Sequence, residues 1–126
     1  MLVDKPLLLG IYLDRYAQTY PRAPVPTLVD VKKAYQSMKN WGESFLIRSI
    51  RVFGSLSRGD AHPQSDIDLA IEFAKSASFD LREKAFDVIR DYNWITFHRA
   101  SDLLDWDAFP DNQQEQTLLL CSFDVR

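Results

Sequence analysis

The chain reads Gly-Ser-Leu-Ser-Arg-Gly-Asp-Ala-His-Pro-Gln-Ser-Asp-Ile-Asp from Gly54 to Asp68. Before it, residues 46–53 are rich in β-branched and aromatic side chains, which together with the Gly-Ser ending predicts a strand. After it, residues 66–73 alternate between polar and apolar side chains, so a second strand is predicted with one apolar face. The segment therefore joins two strands through a polar loop that contains glycine and proline.

Two aspartates one residue apart open the second strand. Asp66 and Asp68 point to the same side because Ile67 turns toward the core between them. Magnesium takes a few carboxylates and completes its shell with waters and phosphate oxygens, which suits such a pair. Gly54 and Ser55 end the first strand, where glycine lets a phosphate approach the backbone and serine adds a hydroxyl donor. Each feature alone also fits a structural interpretation, namely a solvated strand face and a glycine turn.

The combined layout is Gly-Ser, ten residues, then Asp-x-Asp. It resembles the signature of the polymerase-beta-like nucleotidyltransferases, and its spacing is similar to that of the minimal nucleotidyltransferase family. The resemblance covers roughly residues 28–104. It implies an α/β (α+β) fold, in which a small mixed β-sheet has helices packed mainly on one face.

The resemblance also implies a function. Members of this kind transfer AMP from ATP, with Mg²⁺, to a hydroxyl of a partner protein, and the family's partner is a HEPN-type ribonuclease toxin, which makes this chain the antitoxin. Asp66 and Asp68 are then the catalytic, metal-binding pair, while Gly54, Ser55 and Arg58 bind the nucleotide. An alternative interpretation of Arg58, which fits the sequence equally well, is a solvated arginine in a loop. The alternative function is a degenerate site on a binding module that neutralises its partner by contact.

The chain departs from the family pattern at the third acidic residue, which usually lies on the strand after the next helix. Residues 93–100 are predicted to form that strand, which places Thr96 near the expected position. The third ligand is then missing, replaced by His98, or supplied by a neighbouring acid. The neighbouring acids are Asp102, Asp105 and Asp107. Leu56 also stands where an arginine is common, which removes one basic contact to phosphate.

The remaining pattern predicts helices around these strands. Thr27 is a good N-cap for a helix that Gly42 ends after Trp41, and Ser78 caps a second helix. The predicted helical ranges are 7–20, 28–41, 79–92 and 111–120. Residues 1–26 are predicted to be an N-terminal extension with a proline-rich linker, and residues 27–126 to be the nucleotidyltransferase domain.

Composition excludes several other classes of protein. The net charge is −3 without a basic patch, so direct nucleic-acid binding is not expected. Cys121 is the only cysteine, which excludes an intrachain disulfide and a metal site built on paired thiolates. No apolar run approaches the ~20 residues of a membrane span. The sequence therefore predicts a cytoplasmic protein that binds ATP and a protein partner.

Overall fold

The computed structural model describes residues 24–126. The helix predicted over residues 7–20 lies outside them, and the domain boundary at residue 26 stays a prediction. The helices are α1 (Leu28–Gln36), α2 (Lys39–Ser44), α3 (Gly54–Arg58) and α4 (Phe79–Phe97). The strands are β1 (Ile47–Phe53), β2 (Ile67–Phe73), β3 (Ser101–Asp105) and β4 (Leu118–Ser122). Two 3₁₀ helices, Trp106–Ala108 and Asp111–Gln116, separate β3 from β4.

The four strands form one mixed sheet in the order β3-β2-β1-β4. β1 pairs antiparallel with β2 and with β4, whereas β2 and β3 are parallel. A parallel pair needs a long crossover connection, which here is α4. The β2-α4-β3 unit therefore brings the first residues of β3 beside the first residues of β2.

The hydrophobic core lies on one face of this sheet. Ile67, Leu69 and Ile71 of β2 are at most 1% exposed, and the buried faces of α1 and α4 join the same cluster. The buried hydrophobic residues of the two helices are Val31, Tyr35, Ala85, Phe86 and Ile89. Because both helices cover one face of the sheet, the predicted α/β architecture is confirmed. The opposite face of β2 carries Asp68 and Glu72, as the alternation predicted.

Both predicted N-caps are confirmed. Thr27 accepts a hydrogen bond from the Asp30 N–H at 3.2 Å, and the Asp30 carboxylate accepts one from the Thr27 N–H at 3.2 Å. This reciprocal pair is a capping box, which satisfies two donors that the first helical turn leaves without partners. The Ser78 hydroxyl accepts a hydrogen bond from the Leu81 N–H at 3.1 Å and caps the first turn of α4.

The predicted end of the first helix is wrong. α1 ends at Gln36, and Gly42 lies inside the separate helix α2 instead of ending a helix. A Cβ at Gly42 would lie 2.4 Å from the Phe123 ring, so glycine is needed there for the close packing of that ring. Close packing and a helix stop favour the same residue, and the sequence pattern could not distinguish them.

The strand predicted over residues 93–100 is also wrong. α4 continues through Phe97, and His98 ends it in the left-handed conformation at φ 54°. Phe86, Ile89, Asn93 and Phe97 follow the three- and four-residue spacing of a helix, so the inward stripe of α4 continues past Tyr92. Asn93 is fully buried, where it accepts a hydrogen bond from the Tyr35 hydroxyl and donates one to Ser101 at 2.7 Å. These tertiary contacts override the strand propensity of the aromatic and β-branched residues.

The last predicted helix is correct only in part. Residues 111–116 form a 3₁₀ helix, but residues 118–122 form β4 and extend the sheet beside β1. Thr117 separates the two and donates to the Gln114 carbonyl at 2.7 Å. Within residues 24–126, no helix has both the length and the apolar character needed to cross a membrane.

Candidate active site

Gly54 lies at the junction of β1 and α3, directly against Asp68. Its φ is +70°, a conformation that residues with a Cβ rarely adopt. A Cβ at this position would lie 2.1 Å from the Asp68 Oδ2 atom. Because Gly54 has no side chain, the Asp68 carboxylate can occupy the space next to it. Ser55 follows as the second residue of α3 and is partly exposed.

The aspartate pair lies where β2 begins. Asp68 is the second residue of β2, pairs with Phe53 of β1 and is half-buried. Asp66 precedes the strand and is exposed. Ile67 between them is 1% exposed and belongs to the core, so the predicted alternation is confirmed.

A third carboxylate comes from β3. Asp102 is in direct register with Asp68 across the parallel β2-β3 pair. Residues paired in register on neighbouring strands point to the same face of the sheet, so Asp102 occupies the position that Thr96 was predicted to hold. Thr96 lies instead on α4 and is exposed. Asp102 is therefore the neighbouring acid that lies in register with Asp68, and its assignment as a third ligand stays a prediction.

The charges at this edge of the sheet act on one another. The pKa of Asp68 is raised from 3.8 to about 6, first by burial of the carboxyl group and then by the negative charges of Asp102 and Asp66. The positive charge of Arg58 acts in the opposite direction. Charged side chains from β2, β3 and α3 therefore form one electrostatic site. Arg58 and Asp102 contribute to it although they are 44 residues apart in the sequence.

The donors suit a divalent ion that takes few protein ligands. Within the described range 24–126, no three Asp, Glu, His or Cys side chains are arranged as a ready-made metal site. Magnesium commonly binds one or two carboxylates and takes the rest of its shell from waters and substrate phosphates. Asp66 and Asp68 supply such a pair. Burial raises the pKa of Asp68 most, and the negative charges of Asp102 and Asp66 raise it further. The predicted assignment of both residues to Mg²⁺ stays a prediction.

Arg58 lies in the last turn of α3, at the rim of the site. Its Nε atom is 3.3 Å from the Asp60 carboxylate, and both side chains are more than 60% exposed. Such an exposed ion pair contributes little to stability, so Asp60 does not fix Arg58 in place. The positive charge of Arg58 lowers the pKa of Asp68, so Arg58 interacts electrostatically with that carboxylate. Binding of the nucleotide by Gly54, Ser55 and Arg58 stays a prediction.

A cavity of about 380 Å³ adjoins Gly54. Its walls combine aromatic and aliphatic surface with two carboxamides and the Arg58 side chain. The lining residues are Phe53, Gly54, Ser57, Arg58, Phe109, Gln113, Gln116 and Leu118. This volume lies within the usual range of small-molecule pockets.

Two other residues were singled out in the sequence, His98 and Leu56. His98 caps the C-terminal end of α4, is exposed, and contacts the Trp94 ring at 6.5 Å between centroids. Its predicted role as a substitute ligand stays a prediction. Leu56 is 4% exposed and belongs to the core, so a side chain at that position does not face a phosphate.

These observations define a nucleotidyltransferase-type site. The family of nucleotidyltransferase domains matches residues 31–111, which is more than half of the chain. The chain belongs to that family. The family and the site together support nucleotidyltransferase activity.

The chain is similar to MJ1215 of Methanocaldococcus jannaschii, which is assigned by name as a protein adenylyltransferase. The two are 32% identical over 59 residues, which are 46% of this chain and 69% of MJ1215. The aligned part thus includes about half of the present chain.

Solved structures with a similar fold include a toxin-antitoxin complex with AMP-PNP, at 23% identity and a TM-score of 0.48. That alignment covers 63% of this chain and 64% of the other, so the chain spans slightly less than two thirds of that relative. A mutant MntA-HpeT toxin-antitoxin structure matches at 20% identity and a TM-score of 0.47, over 68% of this chain and 73% of that one. A protein from Sulfolobus solfataricus, assigned as a nucleotidyltransferase, matches at 20% identity and a TM-score of 0.38, over 80% of this chain and 92% of that one.

Proposed function

We propose that this chain transfers AMP from ATP, with Mg²⁺, to a hydroxyl group of a partner protein. The observation that carries the proposal is the register of Asp68 with Asp102, beside Gly54. It supports an enzymatic site with three acidic residues over the alternative of a degenerate site on a binding module. The similarity to MJ1215 supports a protein as the acceptor.

In this reaction an oxygen of the acceptor hydroxyl bonds to the α-phosphorus of ATP, and the bond to the β-phosphate bridge breaks to release pyrophosphate. Asp66 and Asp68 would hold the metal, which supplies neutralisation of phosphate charge. Asp102 is exposed next to Asp68, so it is placed to accept the proton that the hydroxyl loses. Arg58 adds positive charge at the rim, and Ser55 offers a hydroxyl donor to the phosphates.

The partner that we propose is a HEPN-type ribonuclease toxin, with this chain as its antitoxin. The support is the family resemblance carried by Gly54, Ser55, Asp66 and Asp68 at their observed spacing. An antitoxin that transfers AMP needs only transient contact, because the covalent mark persists. An antitoxin that acts by contact must stay bound, which requires an interface of about 1,600 Å² in total.

Co-expression with the partner separates these two modes of action. The partner is purified after co-expression with the wild type, with Asp68→Asn, or with Asp124→Asn as an exposed control, and its intact mass and toxicity are measured. We expect one or more added AMP units, and loss of toxicity, with the wild type and the control only. An unmodified partner that all three proteins neutralise equally in a stable complex would contradict the enzymatic proposal.

Substitution of Asp102 is expected to affect AMP transfer strongly, whereas substitution of His98 is not. Asp102→Asn should lower the rate of AMP transfer by about a hundredfold or more, because several kcal/mol of transition-state stabilisation depend on the charged site. It should also lower the pKa of Asp68 in the metal-free protein, since one like charge is removed. His98→Ala should leave both properties unchanged.

The pKa of Asp68 is followed by NMR titration of its carboxyl carbon, and the rate by mass spectrometry of the partner. Asp105→Asn is unsuitable as a control because Asp105 pairs with Arg82 at 2.8 Å. An unchanged rate and an unchanged Asp68 pKa in Asp102→Asn would show that Asp102 is only a polar residue on the strand.

A further inference from the structure

Arg99 is the largest side chain that is completely buried in the described part of the chain. Removing a charged guanidinium from water is costly unless hydrogen bonds compensate it. A buried arginine at 0% exposure therefore indicates a position where specific acceptors are held around the group.

Arg99 donates to backbone carbonyls of two separate segments. The Arg99 Nη1 atom donates to the Pro63 carbonyl at 2.5 Å, and Nη2 donates to the Pro24 carbonyl at 3.3 Å. Pro63 lies in the loop between α3 and β2, three residues before Asp66. Proline has no N–H with which to fasten this stretch, so its carbonyl is the backbone group that a donor can hold.

The adjacent residue holds the other end of the same stretch. The Ala100 carbonyl accepts a hydrogen bond from the Ile67 N–H at 2.9 Å. His98 reverses the chain in its left-handed conformation just before these two residues. Arg99 and Ala100 therefore bind the residues on both sides of Asp66, namely Pro63 and Ile67.

Asp66 lies immediately before the β2 ladder, which begins at Ile67, so the loop that leads into β2 contributes to its position. A metal held by Asp66 and Asp68 requires a fixed geometry between the two carboxylates, which a shifted loop would disturb. Residues that hold metal ligands in place without binding the metal often affect metal affinity strongly when they are mutated.

We propose that Arg99 is a positioning residue, which fixes the loop before β2 so that Asp66 is presented beside Asp68 for metal-nucleotide binding. The inference rests on the proposed function in its ligand, Mg²⁺ with ATP. The inference goes beyond that function by assigning a role in it to Arg99, a fully buried residue of the core.

Two measurements on the full chain test this role. The first is the exchange of backbone amides over residues 60–67, which include the Ser65 and Ile67 N–H groups. The second is the Mg²⁺ concentration that gives half-maximal binding of radiolabelled ATP in equilibrium dialysis. Both are compared in the wild type, Arg99→Met, Arg99→Lys and Phe86→Leu. Phe86 packs on Phe73 at the far end of β2, so Phe86→Leu is a control for loss of core stability.

Arg99→Met should speed exchange in residues 60–67 beyond the effect of Phe86→Leu and raise the Mg²⁺ midpoint about tenfold or more. Arg99→Lys should give an intermediate shift, because an ammonium group cannot replace the two-armed guanidinium. If Arg99→Met does not fold, Arg99→Lys carries the same comparison.

Equal loop exchange and equal Mg²⁺ midpoints in the Arg99 variants and Phe86→Leu would overturn the proposal and leave Arg99 as a stability residue. If the wild type binds no ATP with Mg²⁺, the proposed function fails. In that case loop exchange alone decides the role of Arg99: selective acceleration supports the positioning of the loop, and equal exchange overturns it.

Discussion

Asp68→Asn is expected to abolish Mg²⁺-dependent ATP binding and AMP transfer while stabilising the metal-free protein above about pH 6. Asparagine at this position would keep the size of the side chain but lose the charge that a cation binds. Several kcal/mol of electrostatic stabilisation correspond to about a thousandfold in rate. A residue that harms stability yet is needed for activity is typical of a functional site.

The stability effect follows from the direction of the pKa shift. The folded protein holds a proton on Asp68 more tightly than the unfolded chain, since the pKa rises from 3.8 to about 6. Asp68 therefore lowers stability progressively as the pH rises through that interval, and the full cost is present above it. Asparagine removes the cost. Because the carboxyl group is only half-buried, solvent screening limits the expected gain to about 1 kcal/mol.

Urea unfolding of the metal-free proteins at pH 4 and pH 8 measures the gain, and equilibrium dialysis with ATP measures binding. The unfolding free energies of the wild type and Asp68→Asn should differ at pH 8 and converge at pH 4. The unfolding free energy of Asp124→Asn should match that of the wild type at both pH values. If Asp68→Asn bound ATP with Mg²⁺ as tightly as the wild type, Asp68 would be only part of a polar strand face.

The first half of the candidate site was predictable because its parts are close in sequence. Alternation in residues 66–73 gives the face of each side chain, and β2 begins at Ile67, one residue from the predicted start. β1 and β2 pair antiparallel through one connection, so the end of β1 and the start of β2 must meet. Gly54 and Asp68 could therefore be placed together from their spacing.

The second half depends on contacts that are distant in sequence. Whether residues 93–97 form a helix or a strand is decided by the burial of Asn93 against Tyr35 and Ser101. Local propensity favours a strand there, and tertiary packing outweighs it. Once α4 runs to Phe97, the strand that follows starts at Ser101 and carries Asp102.

A sequence signal for Asp102 did exist in the pattern of two segments. Ser-Asp-Leu-Leu-Asp over residues 101–105 resembles Ser-Asp-Ile-Asp-Leu over residues 65–69 in its mixture of acidic and apolar side chains after a serine. The helical spacing of Phe86, Ile89, Asn93 and Phe97 would have moved the strand to this segment. Arg99 had no comparable signal, because the backbone carbonyls of Pro24 and Pro63, to which it donates, are far from it in sequence.

Gly54→Ala is expected to damage both stability and metal-nucleotide binding through a collision with Asp68. The new Cβ would lie 2.1 Å from the Asp68 Oδ2 atom, so the carboxylate must move or the end of β1 must shift. Alanine at φ +70° adds a backbone cost of about 1–2 kcal/mol. With the overpacking included, the loss should reach about 2–4 kcal/mol, and ATP binding with Mg²⁺ should fall below detection.

Gly59 provides a matched control. Its φ is +77°, but a Cβ there would meet no heavy atom within 4 Å. Gly59→Ala therefore carries the backbone strain without the collision, so it should cost about 1–2 kcal/mol and leave ATP binding intact. The difference between the two variants isolates the contact with Asp68.

A double-mutant cycle then tests the cause. In an Asp68→Ala background the carboxylate is absent, so the new Cβ at position 54 no longer collides with it. Gly54→Ala should then cost no more stability than Gly59→Ala, and the difference from its cost in the wild-type background is the interaction energy of the cycle. Unfolding free energies from urea titrations complete the cycle. If Gly54→Ala were equally costly with and without the Asp68 carboxylate, the glycine would serve only the turn between β1 and α3, and the proposed role of its missing side chain in seating Asp68 would be wrong.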